Sequence, residues 1–230
     1  MKKDLAGSKT LPVALLLALA GGFLDGYTYS VRGGVFANAQ TGNLVKLGMA
    51  LANGNHEEDK QFIFPILAFI LGVVISMSIE RHMKAHSIPF IRRGVLLIEI
   101  LAMLGVAAIP QGGDSDIMAN VLVSFLCAMQ METFRTFLDG EAIATTVSTG
   151  NLRKMVEKLY KAATKRSRAA AISAGCYFLV IAVFVSGAFL GTWLSGPLSV
   201  RAVLFPAGLL LAAFAVITAN RRRRTAASGV

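Results

Sequence analysis

The residues whose types and spacing could do chemistry fall in two copies of one short pattern. Gln40-Thr41-Gly42-Asn43-Leu44 is matched by Ser148-Thr149-Gly150-Asn151-Leu152, at an offset of 149 − 41 = 108 residues in a chain of 230. Such a triplet is a poor helix interior and a good helix start. Thr can cap free N–H groups, Gly42 and Gly150 let the backbone turn, and Asn tolerates unusual dihedrals. A helix start presents unpaired N–H groups and the positive end of the helix dipole. Two of them aimed at one place would favour a small anionic or polar solute. Thr41, Asn43, Thr149 and Asn151 would line that place, with Asn38, Gln40, Thr145 and Thr146 as further contributors. The blander account is that these polar groups satisfy one another at a break in the chain.

Carboxylates inside apolar stretches are functional candidates by default. Asp25 stands 41 − 25 = 16 residues before the first triplet, and Glu132 stands 149 − 132 = 17 before the second. Both are candidates for ion coupling, by proton or cation. The structural alternative for Glu132 is pairing with Arg135 along one helix face. Glu99 is isolated in its stretch. Cys127 and Cys176 lie in apolar runs and read as small buried hydrophobes, and His56, His82 and His86 fall in loops, so a metal site has little support. HExxH, GxSxG, P-loop and GxGxxG patterns are all missing from the sequence. The expectation is a non-enzyme without a cofactor.

The elements that must position these residues follow from composition. The chain is 55% hydrophobic and only 16% charged, below the ~25% usual in soluble domains, with a mean hydropathy of +0.62. This is the composition of an integral membrane protein. Its net charge of +10 comes without any aromatic-basic recognition pattern, so nucleic acid is not expected as a partner. Six apolar runs read as transmembrane helices: Leu11 to Val31, Phe62 to Ile79, Gly94 to Ile109, Ile117 to Leu138, Ala169 to Leu194 and Ala202 to Ala219. The first begins like a signal peptide, with Ala18-Leu19-Ala20 resembling a cleavage site. Its apolar stretch continues past Ala20 and more spans follow, so it reads as a retained span.

Loop charge sets the orientation. The two tails and residues 80–93 and 152–168 are basic, whereas 53–60, 110–116 and 195–201 are acidic or nearly neutral. With the basic set inside, the N- and C-termini are cytoplasmic, and the multi-pass chain lies in the cell membrane. Residues 32–53 then leave and return on the outer face, and residues 139–151 mirror them from the inner face. The expected fold is therefore an all-α membrane protein in one integral domain. It has six transmembrane helices in two inverted three-span repeats, about 11–110 and 117–219. Each repeat carries a re-entrant or broken half-helix at its Thr-Gly-Asn motif. Leu44 to Asn53 as helix is ~15 Å long, half of a ~30 Å hydrocarbon core, so its start would reach the midplane. Inverted repeats with discontinuous helices are a recurrent transporter architecture.

Two stretches carry a family resemblance. Gly21-Gly22-Phe23-Leu24-Asp25-Gly26-Tyr27-Thr28-Tyr29 with Gly33-Gly34-Val35-Phe36-Ala37-Asn38-Ala39-Gln40-Thr41-Gly42-Asn43 resembles the first half of the YoaK-like family. Gln130, Phe134-Arg135, Thr145-Thr146 and Thr149-Gly150-Asn151-Leu152-Arg153 resemble its second half. These are bacterial multi-pass membrane proteins with a domain of unknown function. The resemblance covers nearly the whole chain and implies a bacterial cell membrane location. It brings no substrate. Met129 and Met131 depart from the family's small or polar residues, so no site is carried onto them.

Two functions follow as expectations. One is a small secondary transporter or channel for an anionic or polar small solute, bound at mid-membrane between the half-helix starts. The alternative is a non-transporting membrane assembly, sensor or stress-response protein, whose basic surface at 152–168 and Arg221 to Arg224 would meet a cytoplasmic partner or anionic membrane lipid. A homo-oligomer is a further candidate assembly.

Overall fold

Small residues set the closest helix crossing. Helix α1 (Leu11–Val31) lies along helix α7 (Arg168–Leu198). Gly22 and Gly26 of α1 face the backbone of Phe184 and Ala188, while Gly187 and Gly191 of α7 face the backbone of Leu19 and Phe23. A Cβ at any of the four would strike a carbonyl oxygen. Within lipid no hydrophobic drive separates one apolar helix from another, so such close backbone approach supplies the packing energy.

The computed structural model describes residues 11–54, 56–83, 88–134, 136–138, 141–143 and 148–227. After α1 come α2 (Gln40–Ala52), α3 (His56–Met83), α4 (Ile88–Val106) and α5 (Gly113–Thr133). An antiparallel pair of three-residue strands follows, β1 (Thr136–Leu138) and β2 (Glu141–Ile143), with Phe137 opposite Ala142. Then come α6 (Ser148–Lys165), α7, a 3-10 turn (Ser199–Val203) and α8 (Leu204–Ala227). The regular structure among the described residues is thus helical apart from the short ladder, where the sequence pattern predicts only helix and loop. Ser167 starts α7 by accepting a hydrogen bond from the Ala170 amide, after Arg166 takes a left-handed φ of 49°.

Three helical stretches among the described residues are long and apolar enough to cross a membrane: Leu11–Val31, Asp59–His82 and Arg168–Asn220, the last running through α7, the turn and α8. Helices α4 and α5 form where two more spans were expected, yet carry Arg92, Arg93 and Glu99, and Asp114, Asp116 and Glu132. Helix α5 stops at Thr133, five residues short of Leu138, because Phe134 turns out of the helix and the ladder follows.

Packing partners are few. Helix α3 lies on α5, with Gly72 against Phe125 and Ala128. Helix α1 also touches α8, where Phe23 stacks on Phe205 at 5.0 Å between centroids. Helix α4 packs between α5 and α8, α2 rests on α3, and α6 rests on α7. One main core, from Val13 to Ile217, joins α1, α4, α5 and α8.

Candidate functional site

The first Thr-Gly-Asn copy is held in a hydrogen-bonded knot. Gly33 and Gly34 take φ of 76° and 74°, which turns the chain back after α1. The amides of Ala37, Asn38 and Ala39 then converge on the Asp25 carboxylate, Asn38 donating over 2.6 Å and Ala39 over 3.4 Å. Successive backbone N–H groups of this kind make an anion-binding nest. Here the anion is the protein's own. Asn38 Nδ2 donates to the Gly21 carbonyl at 3.0 Å. Asn43 Oδ1 accepts from the Phe36 amide at 2.9 Å, and its Nδ2 donates to Phe36 O at 2.7 Å and Gln40 Oε1 at 2.9 Å. Gln40 Nε2 reaches Ala37 O at 3.0 Å.

Asp25, Asn38, Gln40 and Asn43 therefore come together. Thr41 does not join them. It is exposed, and the residue before α2, Ala39, has no side-chain cap bond. Asp25 instead gathers the amides of the residues that lead into α2, since a carboxylate can answer several N–H groups at once. Gly42 lies against the Phe36 ring, where a Cβ would clash. Lys46 Nζ donates to Gly34 O at 2.6 Å and sits 4.1 Å from the Tyr29 ring centroid, holding α2 to the same loop.

The second copy is less enclosed. Thr149 and Gly150 are exposed in the first turn of α6, and Asn151 is buried. Thr145 and Thr146 lie outside the described residues, as does Arg135 and with it the Glu132–Arg135 pair. Glu132 is buried on α5. Each short helix leans on its own long neighbour, α2 on α3 and α6 on α7, and neither takes the other as a main packing partner.

Other polar residues fill the interior. Glu99, fully buried on α4, accepts from Gln130 Nε2 of α5 at both oxygens, 3.0 and 2.9 Å. One turn along α5 the Cys127 thiol meets the Asn38 side chain, within electrostatic range of both Glu99 and Asp25. Near the end of α1, fully buried Arg32 uses its whole guanidinium. Nε donates to Tyr27 Oη at 3.0 Å, Nη1 to Pro110 O at 2.7 Å and to Asp116 Oδ1 at 3.0 Å, and Nη2 to Val106 O at 3.0 Å and Ile109 O at 2.9 Å. A cation at the last carbonyls of α4 complements that helix's negative end. At the far end of α5, Arg92 Nε donates to Thr133 O at 3.2 Å.

The family model described as Protein of unknown function (DUF1275) matches residues 13–216. The chain belongs to the DUF1275 family. The match takes in both Thr-Gly-Asn copies, Asp25, Arg32, Glu99 and the whole of α5. No curated protein and no solved structure matches the chain. In this DUF1275 protein the interior partners of Arg32 and Glu99 escaped sequence reasoning. One signal was available: Asp116, Asn120, Ser124, Cys127 and Gln130 recur at helical spacing, which places them on one face of α5.

Proposed function

We propose that this DUF1275 protein is a small secondary transporter or channel, with six transmembrane helices in two inverted three-span repeats. The spans are α1, α3 and α4, then α5, α7 and α8, and α2 (13 residues) and α6 (18 residues) are the extra helices that begin at the Thr-Gly-Asn motifs of the two repeats. One observation carries this reading. Exchanging α1 with α5, α2 with α6, α3 with α7 and α4 with α8 maps the major helix contacts onto one another. The α1–α7 contact becomes α5–α3, α2–α3 becomes α6–α7, α1–α8 becomes α5–α4, and α4–α8 maps to itself. The glycine-mediated close approach recurs too, at α1–α7 and at α3–α5. A three-span repeat has an odd number of crossings, so its second copy is inverted, as in many transporters.

The solute class follows from the nest. Asp25 already occupies the amides that precede α2, so an anion there would compete with a carboxylate fixed in place. A polar neutral solute fits better, hydrogen-bonding to the amide-rich knot of Asn38, Gln40 and Asn43. Thr41, Gly42, Thr149, Gly150 and Asn151 would contribute from the two helix starts. Asp25 is the better of the two coupling candidates, because it joins that knot, whereas Glu132 sits on α5.

Uptake into proteoliposomes is the test, with radiolabelled polar neutral and anionic solutes screened in parallel. Substrate-dependent accumulation that Asp25→Asn reduces at least tenfold is expected. Folded, correctly inserted protein that moves nothing over a broad panel would refute the proposal. The non-transporting alternative draws on α6. Its Leu152, Val156, Leu159 and Tyr160 are exposed beside Arg153, Lys154 and Lys161. That is an amphipathic pattern suited to an anionic lipid surface. One stoichiometric cytoplasmic partner, retained in Asp25→Asn, would favour it.

A further inference from the structure

Helix α5 carries a continuous polar face through the interior of the protein. Asp116, Asn120, Ser124, Cys127 and Gln130 are all buried. From Asp116 to Gln130 is roughly 21 Å of helix axis, some two thirds of a ~30 Å hydrocarbon core. Polar residues at membrane depth are costly and tend to mark ion or proton routes.

Several atoms on this face have no protein partner. Asn120 Nδ2 donates to Arg32 O at 2.7 Å, but its Oδ1 accepts nothing, and Ser124 Oγ is likewise unpartnered. Asn38 Oδ1, in the loop before α2, is a third such buried atom. Ser124 departs from a pattern that several other helix hydroxyls follow. Ser78, Ser186, Ser195, Thr28 and Thr218 each bond the carbonyl four residues back, at 2.6–2.9 Å. That bond is available to a helical serine by default, so a buried hydroxyl that forgoes it needs another partner. Water is the partner that suits buried polar groups of this kind.

We propose that the polar face of α5, together with Asp25 and Glu99, holds a file of water molecules that conducts protons, with Glu99 as the group that takes and releases them. At one end the file meets the Arg32–Asp116 pair, and at the other Glu99 and Gln130. In each cycle a hydronium gives a proton to the Glu99 carboxylate, leaving water and a carboxylic acid. The acid then returns that proton to a water on the opposite side, and only O–H bonds are made or broken. The titratable group beside Glu99 is Cys127 of α5, which lies within electrostatic range of Asp25 of α1 as well. Helix α8, which packs on α4, adds buried Leu210 and Ala213 to the same apolar core. The charged groups at the two ends are Arg32 with Asp116, and Arg92. A role in coupling rests on the transport reading above; the water file itself does not.

Two measurements on the full-length protein test this. The first is infrared difference spectroscopy between H2(16)O and H2(18)O, read at the weakly hydrogen-bonded O–H stretch. An isotope-sensitive band is expected in wild type, lost in Ser124→Ala and unchanged in Ser78→Ala, whose hydroxyl bonds Val74 O at an exposed position. A spectrum that Ser124→Ala leaves untouched overturns the water file. The second is proton flux into proteoliposomes holding pyranine, driven by a valinomycin–potassium potential. Flux above empty vesicles is expected, falling at least tenfold in Glu99→Gln and severalfold in Ser124→Ala. Glu99→Gln keeps the shape of the side chain, and unchanged elution on size exclusion shows that it folds. Equal flux in all variants, or none in wild type, overturns conduction. Solute uptake without proton movement would sink this inference and leave the transport reading standing. Proton flux with no transported solute would do the reverse.

Discussion

Arg32→Met tests how the two halves are tied together at one end of the bundle. Arg32 makes five hydrogen bonds, to Tyr27, Asp116 and the carbonyls of Val106, Ile109 and Pro110. Met has similar length and none of the donors. The substitution leaves the Asp116 carboxylate without its cation, and the Val106 carbonyl at the end of α4 and those of Ile109 and Pro110 in the turn after it without their donor. Removing one member of a buried ion pair typically costs about 3–5 kcal/mol, because the other charge stays behind. For a chain of this size that is a fall in Tm of roughly 10 °C. Arg32→Lys keeps the charge but loses the planar fork, with three donors in place of five, and should cost about 2 kcal/mol. Adding Asp116→Asn to Arg32→Met removes the stranded charge and should recover about 1–2 kcal/mol. Thermal unfolding in one detergent, followed by fluorescence-detected size exclusion, reads all four proteins. An Arg32→Met protein within about 2 °C of wild type would refute the reasoning, since it would mean the network only offsets its own desolvation.

Three further outcomes follow from the same contacts. Gly187→Ala forces a Cβ into the Leu19 carbonyl of α1, so it should destabilise by about 1–3 kcal/mol; Gly175→Ala, on the same helix with open space around it, should be neutral or stabilising by about 0.5 kcal/mol, and equal melting temperatures would argue against the tight crossing. Asp25→Asn removes the charge on which the amides of Asn38 and Ala39 converge, so hydrogen exchange over 36–43 should quicken at least tenfold while α7 stays protected; unchanged exchange would show that the nest does not hold the start of α2. On exposed α6, the hydrogen bond from Lys161 and the charge of Lys154 hold the Glu157 carboxyl below its ordinary range. A depressed folded value means that its support for α6 is complete above the ordinary glutamate range and is lost as pH falls through the folded value. Carbon-13 titration should place Glu157 low in wild type and higher in Lys161→Ala, and identical curves would remove the pair from the account.

Much of the layout can be read from residue order, because hydropathy reports membrane depth directly. The two triplets do start helices, at Gln40 and Ser148, since Gly and Asn weaken a helix interior wherever they sit. Apolar runs marked α1, α3, α7 and α8 to within several residues. Where the reading failed, the cause was tertiary. Thr41 looked like the cap of α2, but Asp25, on another helix, takes the amides before it. Arg32 looked like a loop residue at the end of a span, and only the approach of α4 and α5 supplies its partners. Glu99 looked isolated because Gln130 is thirty-one positions away. The polar face of α5 has a visible period, yet each of its members alone reads as one polar residue in a span.

The proposed inversion of the two repeats is tested most directly by which side of the membrane reaches each of α2 and α6. Cysteines placed at Asn53, exposed at the end of α2, and at Lys161, exposed on α6, can be labelled in intact cells with a membrane-impermeant maleimide. The background should have Cys127 and Cys176 replaced by Ala. Inversion predicts that Asn53→Cys is labelled from outside and that Lys161→Cys is labelled only after the cells are opened. Labelling of both positions from the same side would contradict the inverted repeat.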